Sequence, residues 1–186
     1  MWGGSTSVGS NAIQLGVAAG YQVITTASPK NFGYVKKLGA SQVFDYNSKT
    51  IADDLIRAFK DKKTAGAISV GQGAAEACLH VLDKCKGDKL IAMASYPVRQ
   101  PPPKHYLLLQ TVFYFVSWSI FMWFKSRARG IRTKFIFASS LVDNGVGKAV
   151  YEDFLPKALA EGTYVAAPDP LVVGKGLEYI QAGFDL

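Results

Sequence analysis

Acid is the first thing this sequence lacks. Between Lys89 and Val142 there is neither Asp nor Glu, while Lys89, Arg99, Lys104, Lys125, Arg127, Arg129, Arg132 and Lys134 supply eight positive charges. Elsewhere thirteen basic side chains face fourteen acidic ones, so the formal charge of +7 belongs to one segment. A basic surface spread over the whole molecule, as nucleic-acid binding would favour, is not supported, and no nucleic-acid partner is expected.

Cysteine and histidine are scarce as well. Cys78 and Cys85 stand seven apart in a helical pattern, which suits neither a disulfide nor zinc. His80 and His105 are isolated and read as structural or solvated groups, so no metal is expected. Reduced thiols in a cytoplasmic protein follow from this usage. No secretory leader is visible, because Met1-Trp2-Gly3-Gly4 runs straight into a glycine-rich loop. With 49% hydrophobic and 19% charged residues, disorder is not expected, and 186 residues suit one domain.

What is present is an alternation. Helical periodicity is predicted over 11–19, 29–38, 51–59, 74–82, 149–160 and 174–182. Short β-branched or apolar runs over 21–26, 42–44, 65–70, 89–94 and 134–138 read as strands. Strands and helices in turn, with short connections, predict an α/β fold: a doubly wound, Rossmann-type parallel sheet with helices on both faces.

The segment Gly3-Gly4-Ser5-Thr6-Ser7-Val8-Gly9 stands where a strand should pass into a helix. A helix start presents free N–H groups and a partial positive charge, so it attracts a diphosphate. The middle glycine of G-x-G-x-x-G is missing, and hydroxyls of Ser5, Thr6 and Ser7 take its place. About 20 residues on, a dinucleotide site that prefers NAD carries an acid for the ribose 2′-hydroxyl. Here the chain reads Ala27-Ser28-Pro29-Lys30. A hydroxyl and an ammonium attract a 2′-phosphate where a carboxylate would repel it, which favours NADPH. A solvated helix-start lysine remains the alternative for Lys30.

These segments, GGSTSVGSNAIQL, ASPKN, KKLGASQVFDY, ISVG and AMAS, resemble the medium-chain dehydrogenase/reductase superfamily, and within it fungal zinc-binding-dehydrogenase-like proteins and the related quinone and enoyl reductases. The resemblance is good over residues 1–100, loose over 134–182, and fails over 100–133. It implies that Gly3, Thr6, Ser7, Val8 and Gly9 hold pyrophosphate and that Ser28, Lys30 and Tyr46 meet the 2′-phosphate. It places Val70, Gly71, Ala94 and Ser95 at the ribose and nicotinamide. For Tyr46, packing at the sheet edge is the competing role. The implied activity is hydride transfer from NADPH to a double bond or carbonyl, with catalytic residues unassigned.

The resemblance further implies that a substrate-binding N-terminal domain is absent from these residues. The fold is then cut at both ends, and this chain alone turns over little small-molecule substrate. Only Met1 and Trp2 remain for a central first strand. Its loss predicts a gap, closed by shifted pairing or a homodimer, or left open in a marginal fragment.

The uncharged run 106–124, behind a Pro101-Pro102-Pro103 spacer and ahead of the basic group, is the departure from the family. As a helix it spans about 28 Å, near the thickness of a bilayer core. Three roles stay open: a helix packed on the sheet or on a second subunit, peripheral membrane contact through 106–134, or a true span. A non-catalytic binding or membrane-associated protein on a Rossmann scaffold is therefore the alternative function.

Overall fold

Short parallel ladders set the architecture of the computed structural model, which describes residues 1–98, 101, 106–141 and 144–185. In chain order, α1 (Ser7–Ala18), β1 (Ile24–Ala27), α2 (Phe32–Lys37), β2 (Gln42–Asp45) and α3 (Ile51–Ala58) form the first half. Then come β3 (Lys63–Thr64), β4 (Ala67–Ser69), α4 (Ala74–Lys84), β5 (Lys86–Gly87), β6 (Leu90–Met93), α5 (Leu107–Arg127) and β7 (Arg132–Phe135). The C-terminal part holds α6 (Gly145–Lys148), α7 (Leu155–Ala160) and α8 (Ile180–Phe184).

β1 pairs with β2, and β4 with β6 and then β7, all in parallel. Residues 1–4 stitch the two groups together. The Met1 nitrogen donates to Ile24 O (2.5 Å), Thr26 N–H to Met1 O (3.1 Å) and Gly4 N–H to Thr26 O (2.9 Å). On the other side Trp2 N–H donates to Ile68 O (2.9 Å) and Val70 N–H to Trp2 O (3.1 Å). The spatial order is therefore β2, β1, residues 1–4, β4, β6, β7. Residues 1–4 sit at the centre and bond to the C-terminal part of both neighbours.

Successive strand residues point to opposite faces, and the core divides accordingly. Ile24, Ile91 and Met93 pack with Leu55, Leu79, Leu82 and Met122 under α3, α4 and α5. Val23 and Ala27 pack with Ile13, Val35 and Leu38 under α1 and α2. Each fully buried Leu or Ile contributes about 1.5–3 kcal/mol, so both faces are needed to hold so small a sheet.

α5 is a continuous helix of 21 residues that touches the body along one narrow stripe. Met122 and Ser126 are buried, and Trp118 and Phe115 lie against Phe135 at ring distances of 6.3 and 5.9 Å. Its remaining apolar side chains, Leu108, Phe113, Phe121 and Phe124 among them, are exposed. The expected helix over 149–160 is π-helical from Ala149 to Phe154, immediately ahead of α7. Pro156 explains the break, since it has no amide to donate back along the helix. Arg99, Lys104, His105 and most of the proline spacer lie outside the described residues.

Candidate functional site

Because residues 1–4, β1, β2, β4 and β6 all run the same way, their C-terminal ends share one edge of the sheet. The loops leaving that edge carry Gly3 to Gly9, Ser28 and Lys30, Tyr46, Val70 and Gly71, and Ala94 and Ser95. Every residue singled out for cofactor contact therefore lies on it, at the crevice where open α/β sheets bind ligands.

The turn into α1 is fixed by its own side chains. Thr6 caps the helix: its Oγ1 accepts from Gly9 N–H (3.0 Å) and donates to Gly3 O (2.8 Å). The Thr6 hydroxyl is thus committed to shaping the loop. The backbone crosses itself so closely that a Cβ on Gly9 would stand 2.1 Å from Gly3 O. Gly3 has φ +87, and a Cβ there would meet Val70 O at 2.7 Å. Ser7 and Val8 are exposed at the first turn, and among the described residues neither amide has a backbone acceptor. No acid stands in that turn.

After β1, Ser28 is half-buried and accepts from Asn31 Nδ2 (3.2 Å), while Lys30 is exposed. Tyr46 is 46% exposed at the end of β2, so packing at the sheet edge does not consume its ring. Two open amides, a glycine crossing without room for a side chain, and a serine and lysine with no carboxylate between them fit the phosphates of a dinucleotide. The groups gathered here are hydrogen-bond donors and one cation, a set that suits an anion.

At the other end of the edge Gly71 N–H donates to Ser95 Oγ (2.9 Å), tying the ends of β4 and β6. A small cleft of about 30 Å³ opens there against Gln72, Tyr96, Tyr114 and Trp118. Trp118 Nε1 donates to Glu76 Oε1 (2.5 Å), which anchors α5 to α4 beside the cleft. Sequence reading missed Gly4, where a Cβ would come within 2.2 Å of Thr25 Oγ1, and Thr26, whose Oγ1 accepts from Gly3 N–H (3.1 Å). It also missed Tyr96 and the Trp118–Glu76 pair. These depend on contacts between distant segments, and no local pattern announces them.

Both cysteines are free and buried. Burial pushes the Cys78 thiol up to about 11 and raises that of Cys85. Among the described residues there is no group of His, Cys, Asp or Glu able to hold a metal. A cavity of about 560 Å³ lies elsewhere, behind Met1 between β1 and β4. It is not the phosphate site, since it opens at the N-terminal end of the strands.

No family model matches the chain. Among curated relatives, the dehydrogenase pigH of Monascus ruber is 59% identical over 185 residues, covering 100% of this chain and 50% of that protein. The zinc-binding alcohol dehydrogenase domain-containing protein cipB of Emericella nidulans is 46% identical, covering 96% and 49%. The trans-enoyl reductase himH of Aspergillus japonicus is 32% identical, covering 100% and 47%. The chain thus spans about half the length of the curated relatives it matches. Among solved structures, the CurK enoyl reductase superposes with a TM-score of 0.67 at 15% identity, over 99% of this chain and 48% of that one. The Escherichia coli quinone oxidoreductase complexed with NADPH gives 0.61 at 17% identity, over 90% and 46%. At such identities these two speak for the fold alone.

Proposed function

The chain belongs to the medium-chain dehydrogenase/reductase superfamily, alongside fungal dehydrogenases and trans-enoyl reductases, and on that premise we propose that it is the NADPH-binding domain of such an oxidoreductase. The observation that carries this reading is the shared strand edge: open amides of Ser7 and Val8 at one end, Ser28 and Lys30 beside them, and the tied ends of β4 and β6 beyond.

In this reading the Ser7 and Val8 amides hold the diphosphate, aided by the partial positive charge of α1. Lys30 and Ser28 select the 2′-phosphate, and Tyr46 lies over the adenosine end. Val70, Gly71, Ala94 and Ser95 line the approach to the ribose and nicotinamide, where the Gly71–Ser95 hydrogen bond fixes the spacing of the two strand ends. Bound there, NADPH supplies the hydride for a double bond or carbonyl. The substrate and the residues that contact it are proposed to come from the part of the longer relatives that this chain does not span.

Fluorescence titration with NADPH and NADH tests the reading. Preference for NADPH that Lys30→Ala abolishes supports it; equal affinities, or no binding of either, overturn it.

A second reading rests on α5. Its exposed apolar side chains stand next to Lys125, Arg127, Arg129, Arg132 and Lys134, and Lys125 and Arg127 lie over the rings of Phe121 and Trp123 at 4.7 and 5.9 Å. Such a surface suits peripheral contact with an anionic membrane.

A further inference from the structure

Two tyrosine hydroxyls from distant parts of the chain stand behind the turn into α1. The Tyr164 hydroxyl donates to Asn11 Oδ1 (2.6 Å). Asn11 Nδ2 in turn donates to Ser7 O (2.9 Å) and to Ala167 O (3.3 Å). One orientation of the carboxamide suits all three contacts, since its reversal would set an oxygen against two carbonyls. From α2 the Tyr34 hydroxyl donates to Ser10 Oγ (2.8 Å), which donates to Gly4 O (3.4 Å). Ser10 is fully buried and Tyr164 nearly so. Burial also raises the pKa of the Tyr164 phenol, so its donor proton is kept.

Where these two chains of bonds end decides what they do. The Ser7 carbonyl shares its peptide unit with the Val8 N–H, and the Gly4 carbonyl shares its unit with the Ser5 N–H. Resonance joins the two ends of a peptide unit, so a donor on the oxygen makes the N–H more positive. Neither the Val8 nor the Ser5 amide has an acceptor among the described residues. Each chain therefore runs from donor to acceptor and finishes on an open N–H of the glycine-rich turn. Gln14 supplies the contrast. It grips the same C-terminal segment through Val165, but its bond to Ser10 O (3.5 Å) leads to the Asn11 amide, which lies inside the helix.

We infer that Tyr164 and Tyr34 are positioning residues for the bound anion, each heading a hydrogen-bond relay that orients and polarises an open amide: Val8 through Asn11, and Ser5 through Ser10. That anion is the diphosphate of a dinucleotide, which rests on the cofactor reading above. Bonds in series strengthen one another by roughly 10–30% each, so both tyrosines add to affinity without touching the ligand. The Tyr34 relay contains the longest link, 3.4 Å, and is the weaker of the two. Both relays act on the group that NADPH and NADH share, whereas Lys30 addresses the 2′-phosphate alone.

The test uses the 186-residue chain, with inorganic pyrophosphate and both dinucleotides as probes. In the ligand-free protein, Tyr164→Phe should move the Val8 amide nitrogen upfield in a proton–nitrogen spectrum, and Tyr34→Phe should move that of Ser5. Pyrophosphate, NADPH and NADH should all bind Tyr164→Phe about threefold to tenfold more weakly, with the ratio of the two dinucleotide affinities unchanged. Tyr34→Phe should lose about twofold. Gln14→Ala, which loosens the same segment, should lower Tm yet leave the Val8 resonance and pyrophosphate affinity where they were. Unmoved Val8 and Ser5 resonances overturn the inference. So does a loss of pyrophosphate affinity in Gln14→Ala as large as that in Tyr164→Phe, or the absence of saturable pyrophosphate binding to the parent. A parent chain that takes pyrophosphate but neither dinucleotide removes the cofactor reading and leaves the relays standing.

Discussion

The carboxamide of Gln14 makes two hydrogen bonds with the backbone of Val165, 151 residues further along: Nε2 donates to Val165 O (3.1 Å) and Val165 N–H donates to Oε1 (2.8 Å). One turn earlier on α1, Asn11 accepts from the buried Tyr164 hydroxyl (2.6 Å) and donates to Ala167 O (3.3 Å). Two amide side chains on α1 thus hold the C-terminal segment as a neighbouring strand would, and they do so on the helix whose first turn carries the open amides.

Replacing that bridge should cost stability. Gln14→Ala leaves the Val165 amide and carbonyl without their side-chain partner in a part-buried place, a loss of about 1 kcal/mol. Urea melts of the two proteins check this, with a lower midpoint expected at unchanged slope. An unaltered midpoint would mean that water replaces the carboxamide fully.

Lys30→Ala should weaken NADPH binding by about tenfold, near 1.4 kcal/mol, and leave NADH unchanged, because only the 2′-phosphate is addressed. Thr6→Ala should behave differently. Its hydroxyl caps α1, so Tm should fall by the equivalent of about 0.5–2 kcal/mol, and both dinucleotides should weaken together. Paired titrations and melts separate the two effects.

Cys78 gives a pH dependence of known sign. Its thiol is raised from 9.0 to about 11 in the folded chain, so the folded state keeps a proton that the unfolded state releases. The stabilisation is whole below pH 9 and is lost as pH rises towards 11. Denaturant midpoints should fall over that window in the parent more than in Cys78→Ala. At pH 8 a thiol reagent should label the native protein slowly and both cysteines rapidly in denaturant.

Should α5 rest on membranes, the chain would co-sediment with vesicles containing phosphatidylserine, and replacing both Phe121 and Trp123 with Ser would release it. Binding should also weaken with salt, since the basic flank acts through screened charge. Co-sedimentation with neutral vesicles to the same extent would dismiss the basic flank as a contributor.

The alternation of elements was legible because each element carries its own period. The helix from Ile51 and the strand at Gln42 need only local apolar spacing, and both stand where the pattern put them. The strand expected from Tyr21 begins only at Ile24, where pairing with Gln42 starts. β propensity marks residues able to pair, and the partner decides which ones do. The glycines at positions 3 and 9 could be read as a turn. Gly4 could not, because its constraint is the Thr25 side chain across the sheet. The bonds of residues 1–4 to both neighbours could not be read locally, because their partners Ile24, Thr26, Ile68 and Val70 lie far along the chain. The role of a helix over 106–124 was left open, and its exposure could not be read from an apolar run without polar periodicity.

Residues 1–4 make the joint between two half-sheets, and the phosphate turn is the direct continuation of that joint. Grip and cohesion therefore share the same few peptide groups. Whatever anion the turn clasps must also staple one half of the molecule to the other, so occupancy should show itself as resistance to splitting, far from the point of contact.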